Sequence, residues 1–134
     1  MNLLTVRDKA IGGGNEKEFS LLFPSNSITV RELIETRVKH EVDDYNAKLG
    51  DESSPIFRGL VQPNDSEVAI NGCKLKAPRA VDFQAQFESA IQGFQQNQIF
   101  VLVNDKQCES LEEQIEVKPE TVVIFLRLLP LVGG

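Results

Sequence analysis

The chain has two cysteines, one histidine and no long apolar run. Cys73 and Cys108 are too few and too far apart to frame a small secreted fold, so a reducing cytoplasm is the expected compartment. No His or Cys stands at ligand spacing from either thiol, which argues against zinc and makes packing or surface roles the expectation for both. A Cys–His pairing with His40 stays open, but His40 lies off the apolar stripe of its helix and reads as solvated. The longest apolar stretch, Val122 to Val132, is broken by Arg127 and Pro130, short of the ~18 residues of a membrane helix. No apolar leader segment follows Met1, and there is no repeat or low-complexity tract. Gly12-Gly13-Gly14 lacks the Lys-Ser/Thr and helix of a phosphate loop. The net charge of -6 has no clustered basic counterpart, which disfavours nucleic acid as a partner.

The 134 residues are enough for one domain, or one domain with a large insertion. Leu3 to Arg7 reads as a first strand and Gly12–Asn15 as a hairpin connection. Phe19, Leu21 and Phe23 alternate with Glu18, Ser20 and Leu22 as a second strand, which Pro24 ends. Thr29 and Glu32 have capping-box spacing, with Ile28 and Leu33 placed as its hydrophobic staple. Val30, Leu33, Ile34, Val38, Val42, Tyr45 and Leu49 then follow at helical spacing, predicting a helix from Val30 to Lys48.

Beyond a polar loop at 50–55, Ile56 to Val61 reads as a strand and Asn71-Gly72 as a type I′ turn between Val68/Ile70 and Cys73/Leu75. Phe83, Phe87, Ala90, Ile91 and Phe94 mark a second helix, opened by Pro78 and Asp82, with Gly93 near its end. Ile99 to Val103 is a strand turned by Asn104-Asp105, Leu111 to Glu116 reads as one helical turn, and Thr121 to Leu129 is the last strand.

Strand, turn, strand, long helix, insertion, strand, turn, strand and a closing diglycine resemble the β-grasp fold of ubiquitin and of the sulfur carriers of molybdopterin, thiamine and tRNA-thiolation pathways. Three stretches carry the likeness: Ile28-Thr-Val-Arg-Glu-Leu-Ile34, Val101-Leu-Val-Asn-Asp105 and Leu129-Pro-Leu-Val-Gly-Gly134. The expectation is therefore an α+β class, a single β-grasp (ubiquitin-like) domain over 1–134. It would have a mixed sheet packed on a helix, a hairpin and second helix inserted at about 50–97, and a flexible tail at about 130–134.

The resemblance implies that the chain is not an enzyme and binds no cofactor or metal. Its implied partner is an E1-like enzyme that uses ATP to activate the Gly134 carboxylate, with Pro130, Leu131 and Val132 read as tail-recognition residues. Conjugation would follow through an E2-like enzyme to a protein target, with a JAB-type peptidase as a further expected partner, as in bacterial ubiquitin-like systems. The alternative is a sulfur carrier whose Gly134 becomes a thiocarboxylate for a sulfur-accepting synthase. A non-covalent β-grasp binding module is the second alternative. The proline-containing tail and the Val-Asn-Asp turn favour sulfur transfer, whereas the extra hairpin and helix favour conjugation or self-association.

Glycine suits the terminal positions because it has no Cβ to block an approach along a narrow channel. At ~7% glycine usage, two terminal glycines arise by chance in about 0.5% of chains, which favours function over a frayed end. Lys106 stands where ubiquitin carries a chain-forming lysine, although a lysine after a turn is ordinarily just solvated. If Arg127 faces solvent, Val123, Phe125 and Leu129 share its face, while Val122, Ile124, Leu126 and Leu128 face the helix. Val101 and Val103 point inward on the neighbouring strand. Phe100, Leu102, Phe125 and Arg127 then form a partner-binding patch, unless the inserted hairpin and helix cover it.

Overall fold

The computed structural model describes residues 2–11, 16–49, 56–57, 59–63, 66–69, 72–75 and 79–128. It falls into two compact units, Met1–Leu33 with Gly93–Gly134, and Ile34–Gln92.

The first unit opens with a hairpin, β1 (Asn2–Ile11) and β2 (Lys17–Phe23), antiparallel from Asn2↔Phe23 to Asp8↔Lys17. The predicted Gly12–Asn15 connection lies outside the described residues. Alternation sorts the side chains: Leu4, Val6, Leu21 and Phe23 are buried, while their neighbours Leu3 and Leu22 are 52% and 53% exposed. A short strand β3 (Ser27–Thr29) then feeds helix α1 (Val30–Lys48), whose bounds match the sequence expectation.

The N-terminus of α1 is closed from two sides. Thr29 Oγ1 accepts the Glu32 N–H at 3.1 Å, as the capping spacing predicts. The carbonyls of Glu113 and Leu111 accept the Val30 and Arg31 N–H groups, both at 3.0 Å, so two further orphan donors are met by a distant segment.

That segment is where local reading failed. Instead of a helical turn, Gln114–Glu116 form a strand, β8, paired antiparallel with β3 around Ile28↔Ile115. Ile115 and Val117 are both buried. A three-residue strand has too little length to show period-two alternation, so its pairing partner decides its conformation.

In the second unit the rest of α1 buries Ile34, Val38, Val42 and Tyr45. Tyr45 meets Phe57 edge to face, with ring centroids 5.3 Å apart. Asn46 clamps Val81 through its amide, accepting the N–H at 2.8 Å and donating to the carbonyl at 3.1 Å. Glu41 accepts the Leu60 N–H at 3.1 Å. These bonds explain why the unit begins at Ile34 rather than at residue 50: the inserted segment is tied to the helix before it.

Residues 56–61 contain no strand among their described positions. Phe57 makes one bridge, exchanging backbone hydrogen bonds with Cys73 at 2.7 and 2.9 Å. The expected hairpin is present as β4 (Ser66–Ala69) and β5 (Gly72–Leu75), shifted by one residue. Ala69 pairs with Gly72, so 70–71 rather than 71–72 make the connection, and both lie outside the described residues.

Asp82 Oδ2 accepts the Ala85 N–H at 2.9 Å at the start of α2 (Phe83–Gln95), again as expected. Gly93 is in the last turn because a Cβ there would stand 2.8 Å from Ile99 Cδ1.

Two strands follow, β6 (Ile99–Val103) and β7 (Lys106–Cys108), joined by Asn104 and Asp105 at φ 48° and 70°. Both positive φ values are those of a type I′ hairpin turn. The last strand, β9 (Val122–Leu128), enters between β1 and β6. The sheet order is β2-β1-β9-β6-β7, with β1 and β9 parallel and every other pair antiparallel. Two helices and a mixed five-stranded sheet make this an α+β protein. No described helix is long and apolar enough to cross a membrane.

Candidate functional site

The last described strand, β9, lies in the middle of the sheet. β9 is parallel to β1 from Thr5↔Val122 to Ile11↔Leu128 and antiparallel to β6 from Val103↔Val123 to Ile99↔Arg127. Its last described residue, Leu128, donates its N–H to the Gln98 carbonyl at 3.0 Å. The tail residues Pro130, Leu131, Val132, Gly133 and Gly134 lie outside the described residues.

Across β6 and β9 the sheet carries a half-buried apolar face, composed differently from the expectation. Phe125 does not belong to it. Its side chain is 0% exposed, as is Val123, and both stand on the buried face with Leu4, Val6 and Val101. Val122, Ile124 and Leu126 are half-buried and Leu128 exposed on the opposite face, so every residue of β9 is inverted relative to the sequence reading.

The inversion has a physical cause. Face assignment rested on Arg127 being solvated, yet an arginine can bury its stem and carry its charge to the rim. Arg127 is half-buried on the same side as Phe125, and its Nε is buried. The better signal is apolar bulk, since Phe125 is the largest apolar side chain in the strand and belongs to the core.

On β6 the expectation holds for the alternating pair. Val101 is fully buried, and Phe100 and Leu102 are half-buried on the open face. Register sets Phe100 opposite Leu126 and Leu102 opposite Ile124, giving a four-residue apolar centre. On the β1 side of this centre Arg7 and Lys9 stand next to Ile124 and Leu126. Each is neutralised, Arg7 by Glu18 at 3.1 Å and Lys9 by Glu16 at 3.9 Å. The result is a half-buried apolar strip with ion pairs along its β1 side.

Neither cysteine offers a nucleophile. Burial raises the thiol pKa of Cys73 and of Cys108, and in Cys108 the nearby Glu113 adds to the effect, so both stay protonated at neutral pH. His40 is exposed, off the buried stripe of α1. No group of three or more metal-ligating side chains occurs among the described residues. Comparison with protein-family models, with curated proteins and with solved structures finds nothing that matches this chain.

Proposed function

We propose that the chain is a β-grasp, ubiquitin-like modifier that acts through the carboxylate of Gly134. What supports this most is the place of β9, which runs between β1 and β6 up to its last described residue, Leu128, in the part of the sequence that ends in Gly133-Gly134. A strand held on both sides gives a following tail a fixed point of departure, and Pro130 removes a ladder donor just beyond it.

In this reading an E1-like enzyme binds the tail. A Gly134 carboxylate oxygen attacks the α-phosphorus of ATP, releasing pyrophosphate and leaving an acyl adenylate. A thiol of the partner displaces AMP, and an E2-like enzyme passes the acyl group to an amine or hydroxyl of a target. The modifier supplies an unhindered carbonyl, and the partners supply the catalysis. The open face around Phe100, Leu102, Ile124 and Leu126 is the docking surface for those enzymes.

Sulfur transfer is the second reading, favoured by Pro130 in the tail and by the Val103-Asn104-Asp105 turn. Here the acyl adenylate is attacked by a sulfur nucleophile, and Gly134 ends as a thiocarboxylate.

Mass spectrometry of protein recovered from its native host separates the two. Trypsin cuts after Arg127, so conjugation leaves the seven-residue remnant Leu128 to Gly134 on a target side chain. Sulfur transfer instead replaces one oxygen by sulfur in the intact chain. A free acid with no remnant on any protein, or a mature chain continuing past Gly134, overturns both.

A further inference from the structure

The five-stranded sheet ends in β7 on one side and β2 on the other. Strand β7 is three residues long, a length that offers a newcomer little to pair with, whereas β2 has seven. The devices that guard an edge are missing inside β2. Its register with β1 runs without a bulge from Asn2↔Phe23 to Asp8↔Lys17, and Pro24 stands one residue past its end. Its charged residues, Lys17 and Glu18, are both at its start, so the stretch from Phe19 to Phe23 is uncharged.

The ladder fixes which backbone groups of β2 point outward. Leu128 donates to the Gln98 carbonyl and Asn104 to the Val122 carbonyl, so the even-numbered residues of β9 face β6 and the odd ones face β1. In the parallel register Val6↔Val123, this turns the odd residues of β1 toward β9 and its even residues toward β2. The odd residues of β2 meet them, as in Leu4↔Leu21 and Val6↔Phe19. Glu18, Ser20 and Leu22 therefore aim their N–H and C=O groups away from the sheet. All three residues are exposed, and among the described residues no backbone hydrogen bond outside the ladders reaches β2.

The same edge carries unburied apolar surface. Leu22 is 53% exposed and its cross-strand neighbour Leu3 52%, the two most exposed large apolar side chains among the described residues.

We propose that β2 is the interface of a homodimer, paired antiparallel with β2 of a second copy about a two-fold axis at Leu21. Ser20 exchanges two hydrogen bonds with the partner's Leu22, and Leu22 exchanges two with the partner's Ser20. What selects a second copy is the fit of this strand to itself. Centred on Leu21, the two Leu22 side chains are diagonal neighbours with a Leu3 behind each, so four exposed leucines cover one another. Glu18 then lies opposite the partner's Pro24, and the Arg7–Glu18 and Lys9–Glu16 ion pairs fall at the two ends of the contact. Other registers lose this match. Centring on Ser20 sets Leu22 against the partner's Glu18, centring on Phe19 sets it against Glu16, and centring on Glu18 brings two carboxylates together. One strand pair is a small contact and each copy has a net charge of -6, so the dimer is weak and is strengthened by salt. The proposal makes no use of Gly134 and stands whether or not the chain is a modifier.

The test is sedimentation equilibrium on the full chain from about 10 μM to about 1 mM, at low and at high salt. The expected result is a reversible monomer–dimer equilibrium that tightens with salt. Amide NMR of the same samples should show concentration-dependent shifts confined to Leu3 and residues 18–23. Leu22→Lys replaces an exposed side chain, keeps the β1–β2 ladder and sets two like charges beside the axis, weakening the dimer about tenfold or more. Cysteine pairing reads the register. Ser20 and the partner's Leu22 stand about 5.5 Å apart between Cα atoms, within disulfide reach. A mixture of Ser20→Cys and Leu22→Cys chains should therefore cross-link faster under mild oxidation than either chain alone. A monomer at every concentration and salt, a dimer indifferent to Leu22→Lys, shifts centred elsewhere, or mixed cysteine chains that link no faster than the separate ones would each overturn it.

Discussion

Arg37 buries a guanidinium at 1% exposure in the middle of α1, where the helical pattern calls for an apolar residue. Its Nε donates to Glu41 Oε1 at 2.5 Å, and the other Glu41 oxygen accepts the Leu60 N–H at 3.1 Å. The carboxylate therefore joins the helix charge to the backbone of the inserted segment. Removing one ion of a buried pair leaves the other uncompensated, so Arg37→Ala is expected to cost about 3–5 kcal/mol in urea unfolding. The double variant Arg37→Met with Glu41→Leu removes both charges together with the acceptor of the Leu60 N–H, the latter a loss of about 1–3 kcal/mol. It should therefore be more stable than the single variant; the reverse order would mean that the pair contributes little. A second residue-scale expectation follows from Cys108. Burial raises its pKa above the ordinary cysteine value of about 8.5, so the unfolded thiol ionises first. Its contribution to stability is complete below that value and is lost as pH rises through the folded pKa. Cys108→Ser should flatten the loss of stability above about pH 8.5, measured by denaturant midpoints across an alkaline series.

Within β9 the burial alternation makes its own prediction. Phe125→Ala removes a side chain of 0% exposure and is expected to cost about 3–5 kcal/mol. Ile124→Thr and Leu126→Thr put a strand-favouring β-branched residue on the half-buried face and should cost about 1 kcal/mol or less each. Equal costs at odd and even positions would contradict the face assignment. The same strand shows what the sequence could and could not disclose. Its existence is plain from its apolar run, and α1 is legible because Thr29 and Glu32 act locally and the apolar stripe from Val30 to Tyr45 repeats over about four turns. The face of β9 is not legible in the sequence, since Arg127 is the strand's only polar residue and arginine is amphipathic. Strands β3 and β8 were missed because each is three residues long and is defined by the other, 87 residues away at Ser27 and Gln114. The candidate site followed the same rule. Phe100 and Leu102 were found through alternation in their own strand, while Ile124 and Leu126 needed the register that pairs them.

For the molecule as a whole, the proposed function demands that stability and activity be separable at the chain's end. The described ladder closes at Ile11↔Leu128 and at the Leu128–Gln98 bond, and every core residue of β9 precedes it. Gly133 and Gly134 have no side chain to bury, so deleting them is expected to move the unfolding free energy in urea by less than about 0.5 kcal/mol. Activation should behave oppositely. The truncated chain ends in the Val132 carboxylate, two residues short and beside a β-branched side chain that hinders a narrow channel, so pyrophosphate exchange with the activating enzyme is expected to disappear. The open face survives the deletion, however, and the truncated chain should still compete with the intact one for that enzyme. Replacing Leu102 and Ile124 by serine in the full-length chain should do the converse, weakening recruitment while leaving a chemically competent tail. A truncated chain that continues to form adducts, or one that neither reacts nor competes, would separate the tail from the face and break the reading in which one presents the other.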